Sequence, residues 1–207
     1  MMNYLSKCVL ILTVCINITI NAFGKEPFKF SSSLKIYKDL SDTYGNGSLF
    51  SGEFNINKSW YGASLNYGYF QARSTFIYKI LIEETNKIIE IQFDEISIMQ
   101  SSAISLFVIP IQKEWIQLDI AFGAALNKAT SSQFNNVDYS YSLIEDKFTY
   151  LYKDYKLVKR THFGYQVGFN ISFYVTPKLG LQLSSRIQDL NNGGTFFFVG
   201  GGLCFRL

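Results

Sequence analysis

The chain has little with which to brace itself covalently or to hold a metal: three cysteines and one histidine in 207 residues. Cys8 and Cys15 fall within an N-terminal stretch that reads as a removable signal. Only Cys204 would then remain, so no internal disulfide can form. A single histidine, His162, without a cysteine pair is too thin a donor set for zinc. Proline is equally scarce. Pro27, Pro110 and Pro177 all fall at strand ends or turns, where a missing N–H does no damage. Long apolar runs are missing too. The longest past the N-terminus, Ile96 to Ile111, is broken by Gln100, several serines and Pro110, so no helix of ~18 apolar residues can span a bilayer. Excess charge is also lacking. The formal net charge is +3, and loss of Lys7 with the signal leaves 3 − 1 = +2, which is no basic footprint for nucleic acid.

What is present begins with that signal. Met1 to Lys7 carries one positive charge, and Cys8 to Ile20 is apolar but shorter than the ~20 residues of a membrane helix. Ala22-Phe23-Gly24 puts small residues where a signal peptidase reads, so cleavage is expected after Gly24. The domain expected is then residues 25–207. A lipoprotein reading would use Cys15, but Val14 before it is not small and the apolar run continues past it.

The remainder alternates with period two, the signature of strands with one apolar face. Strands are expected near Phe28–Tyr37, Leu49–Asn57, from Trp60, up to Pro110, Trp115–Leu126, His162–Tyr174, Leu179–Ile187 and Thr195–Leu207. The clearest alternation sets Tyr61, Ala63, Leu65, Tyr67 and Tyr69 against Gly62, Ser64, Asn66 and Gly68. Turns near residues 58, 113 and 177 are tight, whereas the connections after the first, third and fifth strands are long. Residues 76–83 and 88–93 read as the third and fourth strands continuing into a protruding hairpin; two extra membrane strands are the alternative. Residues 127–160 read as a long third loop, or as another hairpin.

The last strand decides which face meets what. Phe197, Val199, Leu203, Phe205 and Leu207 share one face and run to the final residue, an aggregation hazard in water but not in lipid. The opposite faces of the strands are rich in Gly, Ser, Asn and Gln, which suits a cramped lumen better than a solvated exterior. Trp60, Tyr61, Trp115, Phe173 and Tyr174 flank the short turns as an interfacial girdle would. Over its whole length after the signal, the chain resembles the small outer-membrane β-barrels of OmpA/OmpX type. The resemblance implies an all-β, antiparallel up-and-down barrel of about eight strands in the outer membrane of a Gram-negative-type cell. It implies outer-membrane lipid and the barrel-assembly machinery as partners, with Phe205 and Leu207 as the assembly signal. A soluble lipocalin-like barrel is the alternative that the same alternation allows.

Chemistry is sparse. Lys35, Glu53, Asp119, Arg186 and Arg206 fall on the inward face, either as ion pairs that fill the barrel or as a narrow polar pore. His162 has Asp138, Glu145, Asp146 and Asp154 nearby in sequence, but no spacing fixes any of them against it, so no catalytic residue, cofactor site or metal site is assigned. The third loop carries Tyr139, Tyr141, Tyr150, Tyr152 and Tyr155 among mixed charge, the composition of a binding surface for a protein or glycan; the alternation of a hairpin would equally produce it. The function expected is a non-enzymatic barrel, structural or porin-like, whose surface hairpins bind a partner. Surface adhesion or assembly is the alternative, and a barrel enzyme is a third reading.

Overall fold

The computed structural model describes residues 27–41, 43, 45–83 and 85–207. The expected signal, residues 1–24, and Glu84 at the expected hairpin tip lie outside them. Eight antiparallel strands follow one another around a ring: β1 (Lys29–Asp39), β2 (Asn46–Lys58), β3 (Tyr61–Ile82), β4 (Lys87–Gln112), β5 (Ile116–Ser142), β6 (Lys147–Tyr174), β7 (Leu179–Leu190) and β8 (Gly194–Arg206). β8 pairs with β1 in register Leu34↔Leu203, so no strand edge is left open within the barrel. At that seam glycine is required. A Cβ on Gly202 would lie 1.8 Å from the carbonyl oxygen of Leu34, and one on Gly200 2.0 Å from that of Ile36.

The barrel is inside out relative to a soluble one. Leu34, Phe50, Leu65, Tyr67, Ile104, Leu106, Phe122, Phe163, Leu181 and Leu183 all lie on the outer wall and are exposed. Lys35, Ser51, Asn66, Ser101, Asn127, Gln166, Asn170 and Arg186 are buried inside. Large apolar side chains turned outward all round a ring, with polar ones enclosed, are stable only against lipid. The lipocalin-like alternative fails here, because it needs the opposite assignment of the same two faces. Trp60 and Trp115, both exposed, sit at short turns on one end of the barrel.

Four strands span about what a bilayer needs, ~9–11 residues when tilted. β1, β2, β7 and β8 have 11 to 13 residues, whereas β3 to β6 have 22 to 28. The surplus rises from the end opposite the two tryptophans as two hairpins. β3 and β4 form one unbroken ladder from Ile82↔Lys87 down to Tyr61↔Val108, which excludes two extra membrane strands. Residues 127–160 are not a loop. β5 continues to Ser142 and β6 begins at Lys147, with two irregularities, between Phe134/Asn136 and Ser140/Tyr141. Asn86 and Asp146 take positive φ (50° and 49°) at the two tips, a conformation their short polar side chains tolerate.

Pairing between β4 and β5 ends at Ile96↔Ser132. Just above, the Phe134 N–H donates to Glu95 Oε1 (3.0 Å) instead of to a strand neighbour. Beyond that point the hairpins no longer pair edge to edge; they stack face to face. Ile80, Ile82, Ile91 and Phe93 are buried against Phe134, Val137, Tyr141, Phe148 and Tyr155. The Phe93 and Phe134 rings lie 4.2 Å apart between centroids. A lone hairpin is marginally stable in water, so mutual burial of these faces is what keeps both ordered.

Candidate functional site: a filled lumen beneath two stacked hairpins

The lumen is built from alternate positions of all eight strands and is occupied in two layers. In the lower layer, the Lys35 ammonium donates to Glu53 Oε2 (2.8 Å) and to Asn170 Oδ1 (3.2 Å). The Arg186 guanidinium donates to Asn66 Oδ1 (3.0 Å) and to the Tyr37 hydroxyl (3.3 Å), and lies 3.7 Å from the same Glu53 oxygen. Ser184 bridges Tyr37 (2.8 Å) and Asn170 (2.5 Å), and Asn66 donates to Ser51 (2.8 Å). One carboxylate thus serves two cations, and each cation keeps further hydrogen bonds, which is the condition for burying such charges at all.

The upper layer is mainly aromatic, with Asn127 donating to Gln188 (3.2 Å) beside Met99. Phe70, Phe196 and Phe198 meet with ring centroids 5.5–5.8 Å apart, and Tyr37 packs edge-on to Phe198 at 6.2 Å. Leu49, Met99 and Leu190 close around them. Phe70, Phe196 and Phe198 are each 0% exposed. Side chains therefore fill the barrel, as eight strands lead one to expect.

Of the five expected lumen residues, Lys35, Glu53 and Arg186 meet directly. Asp119 is buried beside them, opposite Asn170 in the ladder, and accepts from Gln117 Nε2 (2.8 Å). Arg206 stands apart: its guanidinium stacks on the Tyr174 ring (3.3 Å) and donates to the Glu114 carbonyl (3.3 Å) at the short-turn mouth. The aromatic layer was not anticipated. Phe196 and Phe198 fall on the inward face by alternation, but nothing in their spacing says that Phe70 from β3 will reach them.

The two hairpins hold the remaining candidates. Tyr141 and Tyr155 are half-buried in the contact between the hairpins, so they are part of its packing rather than of a free surface. Tyr139 is exposed and packs edge-on to Phe148, at 5.8 Å. Tyr150 and Tyr152 are exposed, opposite Ser140 and Asp138 in the ladder, on the face turned away from the Phe93–Phe134 contact. At the tips, the Lys87 ammonium reaches both oxygens of Asp146 (2.7 and 2.6 Å), to which the Tyr141 hydroxyl also donates. The Lys87 hydrogen bond, seconded by Tyr141, holds the Asp146 carboxyl below its ordinary range; the same contact with Asp146 pushes the Lys87 ammonium up. His162 points into the barrel, with Nδ1 3.4 Å from the Asn191 carbonyl. Its sequence neighbours are engaged elsewhere: Asp146 with Lys87, Asp154 with Asn135, Glu145 with Lys147. Among the described residues, no three His, Cys, Asp or Glu side chains gather as a metal would require.

No family model matches the chain, and no curated protein sequence does. Solved structures do. Neisserial surface protein A matches with a TM-score of 0.53 at 13% identity, over 87% of this chain and 97% of that one. A major outer membrane protein of Thermus thermophilus matches with a TM-score of 0.53 at 13% identity, over 87% and 99%. Ail, the attachment invasion locus protein of Yersinia pestis, matches with a TM-score of 0.50 at 13% identity, over 89% and 100%. The fold is that of the small outer-membrane β-barrels. At such identities, the likeness extends to architecture and not to what any of these proteins binds.

Proposed function

We propose that this chain is a closed, non-enzymatic barrel of a Gram-negative-type outer membrane whose function lies in its paired surface hairpins. The observation that carries this reading is the conjunction of a filled lumen with a protrusion of two mutually packed hairpins. The Glu53 layer and the phenylalanine layer oppose conduction, so a porin-like role is disfavoured. The fully extended β5 adds roughly 45 Å of strand above Lys128, far more than anchoring needs. Tyr139, Tyr150 and Tyr152 offer flat amphipathic side chains at its surface, a composition suited to a protein or glycan partner. Export would use the cleaved signal at residues 1–24, and Phe205 and Leu207 would present the last strand to the assembly machinery.

Two measurements test this together. The purified barrel in a planar bilayer should show no steady conductance. A photoreactive amino acid placed at Tyr150 or Tyr152 on intact cells should give adducts with surface macromolecules; one at Tyr67 on the lipid wall should not. Steady conductance with equal adducts at all three positions would replace this reading with a porin.

A further inference from the structure

The β5–β6 hairpin covers one face of the β3–β4 hairpin and leaves the other bare. On the bare face Arg73 lies opposite Ile96, Thr75 opposite Asp94, Ile77 opposite Gln92, Lys79 opposite Glu90 and Leu81 opposite Ile88. The positions between them, Ile80, Ile82, Ile91 and Phe93, point the other way and are buried against the β5–β6 hairpin. Ile77, Leu81 and Ile88 are 59%, 50% and 60% exposed. They stand above the barrel, where no lipid tail covers them, and apolar side chains grouped in this way mark an interaction face.

The charges on this face cancel. Lys79 Nζ lies 3.0 Å from Glu90 Oε1, and Arg73 Nη2 lies 2.5 Å from Asp94 Oδ2. Paired cations and anions leave no field of one sign to attract a strongly acidic or basic partner. They do suit a copy of themselves.

We infer that the bare face of the β3–β4 hairpin is the interface of a homodimer whose two barrels stand side by side in one membrane. Two copies inserted in the same direction are related by a two-fold axis along the membrane normal, and the same patch serves on both sides. Such an axis sets β3 of one copy against β4 of the other. Lys79 then meets Glu90 of the partner subunit, and Glu90 meets the partner subunit's Lys79. Ile77, Leu81 and Ile88 surround these crossed pairs and keep water from them, and the pairs fix register and orientation more than they add affinity. The face is about 30 Å long at ~3.4 Å per residue and only two strands wide, less than the ~800 Å² per partner of a stable soluble complex. Confinement of both copies to one membrane raises their effective concentration and lowers the affinity required. The dimer goes beyond the tyrosine face and does not rest on it. Tyr150 and Tyr152 lie on the opposite side of the stacked hairpins, so both copies keep that face free.

The test is cross-linking in isolated outer membranes, in a Cys204→Ser background. One cysteine is placed at Gln92, near the axis, or at Tyr152, on the far side of the stack. The probe is a bis-maleimide of about 10 Å reach, the spacing of packed sheets. Gln92→Cys should link to a second copy of the chain, and Tyr152→Cys at the same membrane density should link far less. Lys79→Glu or Glu90→Lys, each added to Gln92→Cys, sets like charges across the axis and should cut self-linking about fivefold or more. Membranes holding both charge variants, one lengthened by a tag so that mixed pairs are distinguished, should regain the linking of the unmodified face in the mixed pair alone. Each charge variant also loses its internal ion pair. Mixing does not restore that pair, so recovery reports contact between copies. Folding of every variant is checked by heat-modifiable gel migration, and all the substituted side chains are exposed. Equal linking at Gln92 and Tyr152, linking of Gln92 to a different protein, or no linking at Gln92 would overturn the inference. A mixed pair that links no better than the like pairs would overturn it as well.

Discussion

Glu53→Ala is the sharpest perturbation the lumen allows. It removes the one carboxylate between the Lys35 ammonium at 2.8 Å and the Arg186 guanidinium at 3.7 Å. The Lys35 side chain is 0% exposed and that of Glu53 10%, so water replaces the lost partner poorly. Breaking a buried pair by deleting one member costs about 3–5 kcal/mol. The lower end applies here, because Lys35 keeps Asn170 and Arg186 keeps Asn66 and Tyr37. With a urea dependence of about 2 kcal/mol per molar, ~3 kcal/mol moves the unfolding midpoint down by about 1.5 M. The assay is urea unfolding of the barrel in phospholipid vesicles, followed by the fluorescence of Trp60 and Trp115. Adding Lys35→Met to Glu53→Ala should recover part of the loss, because it removes the unpaired Lys35 charge while Arg186 is still left without its carboxylate. If Glu53→Ala shifts the midpoint by less than ~0.3 M, or if the double variant is no better, the lumen is not held by this network.

Two further outcomes follow from the same geometry. The depressed Asp146 carboxyl contributes stability that is present above its ordinary range and lost as pH falls through its lower, folded value. The raised Lys87 contributes stability present below its ordinary range and lost as pH rises through its folded value. The tip contact should therefore persist across the neutral range. A spin-label pair at Thr85 and Glu145 should report one distance from about pH 5 to 9, widening in acid below about pH 4; Asp146→Asn should widen it at neutral pH. For assembly, Phe205→Asp puts a charge among lipid-side neighbours near the short-turn end, where the equilibrium cost is only ~0–1 kcal/mol. Arg206→Ser loses a ring stack and one carbonyl bond. Phe205→Asp should nevertheless yield far less heat-modifiable, folded barrel in isolated outer membranes; equal yields would refute Phe205 as an assembly signal.

Much of the barrel was legible because each membrane strand must repeat one rule, apolar outward and small or polar inward, with turn residues between. Leu65, Tyr67 and Tyr69 obey it against Ser64, Asn66 and Gly68, and Phe197 and Val199 obey it against Gly200 and Gly202. The hairpins were harder to read. Above the bilayer both faces of a strand can be mixed, and the irregularities at Asn135 and Thr149 shift the phase, so Tyr155 and Phe148 share a packed face that no single period connects. The charged trio was visible one residue at a time, since Lys35, Glu53 and Arg186 each fall inward. Their meeting depends on the register and stagger of the closed ring, which alternation along one strand does not contain. The phenylalanine layer was hidden for the same reason, because Phe70 and Phe196 come from β3 and β8, on different sides of the ring.

The direct test of an outer-membrane barrel with external hairpins is cysteine labelling in a Cys204→Ser background. One cysteine is placed at Thr85, in the β3–β4 tip, and another at Lys178, in the β6–β7 turn. An impermeant maleimide should label the Thr85 position on intact cells and the Lys178 position only after the outer membrane is broken. Labelling of Lys178 on intact cells, or of Thr85 only after breakage, would contradict the topology on which the proposed function stands.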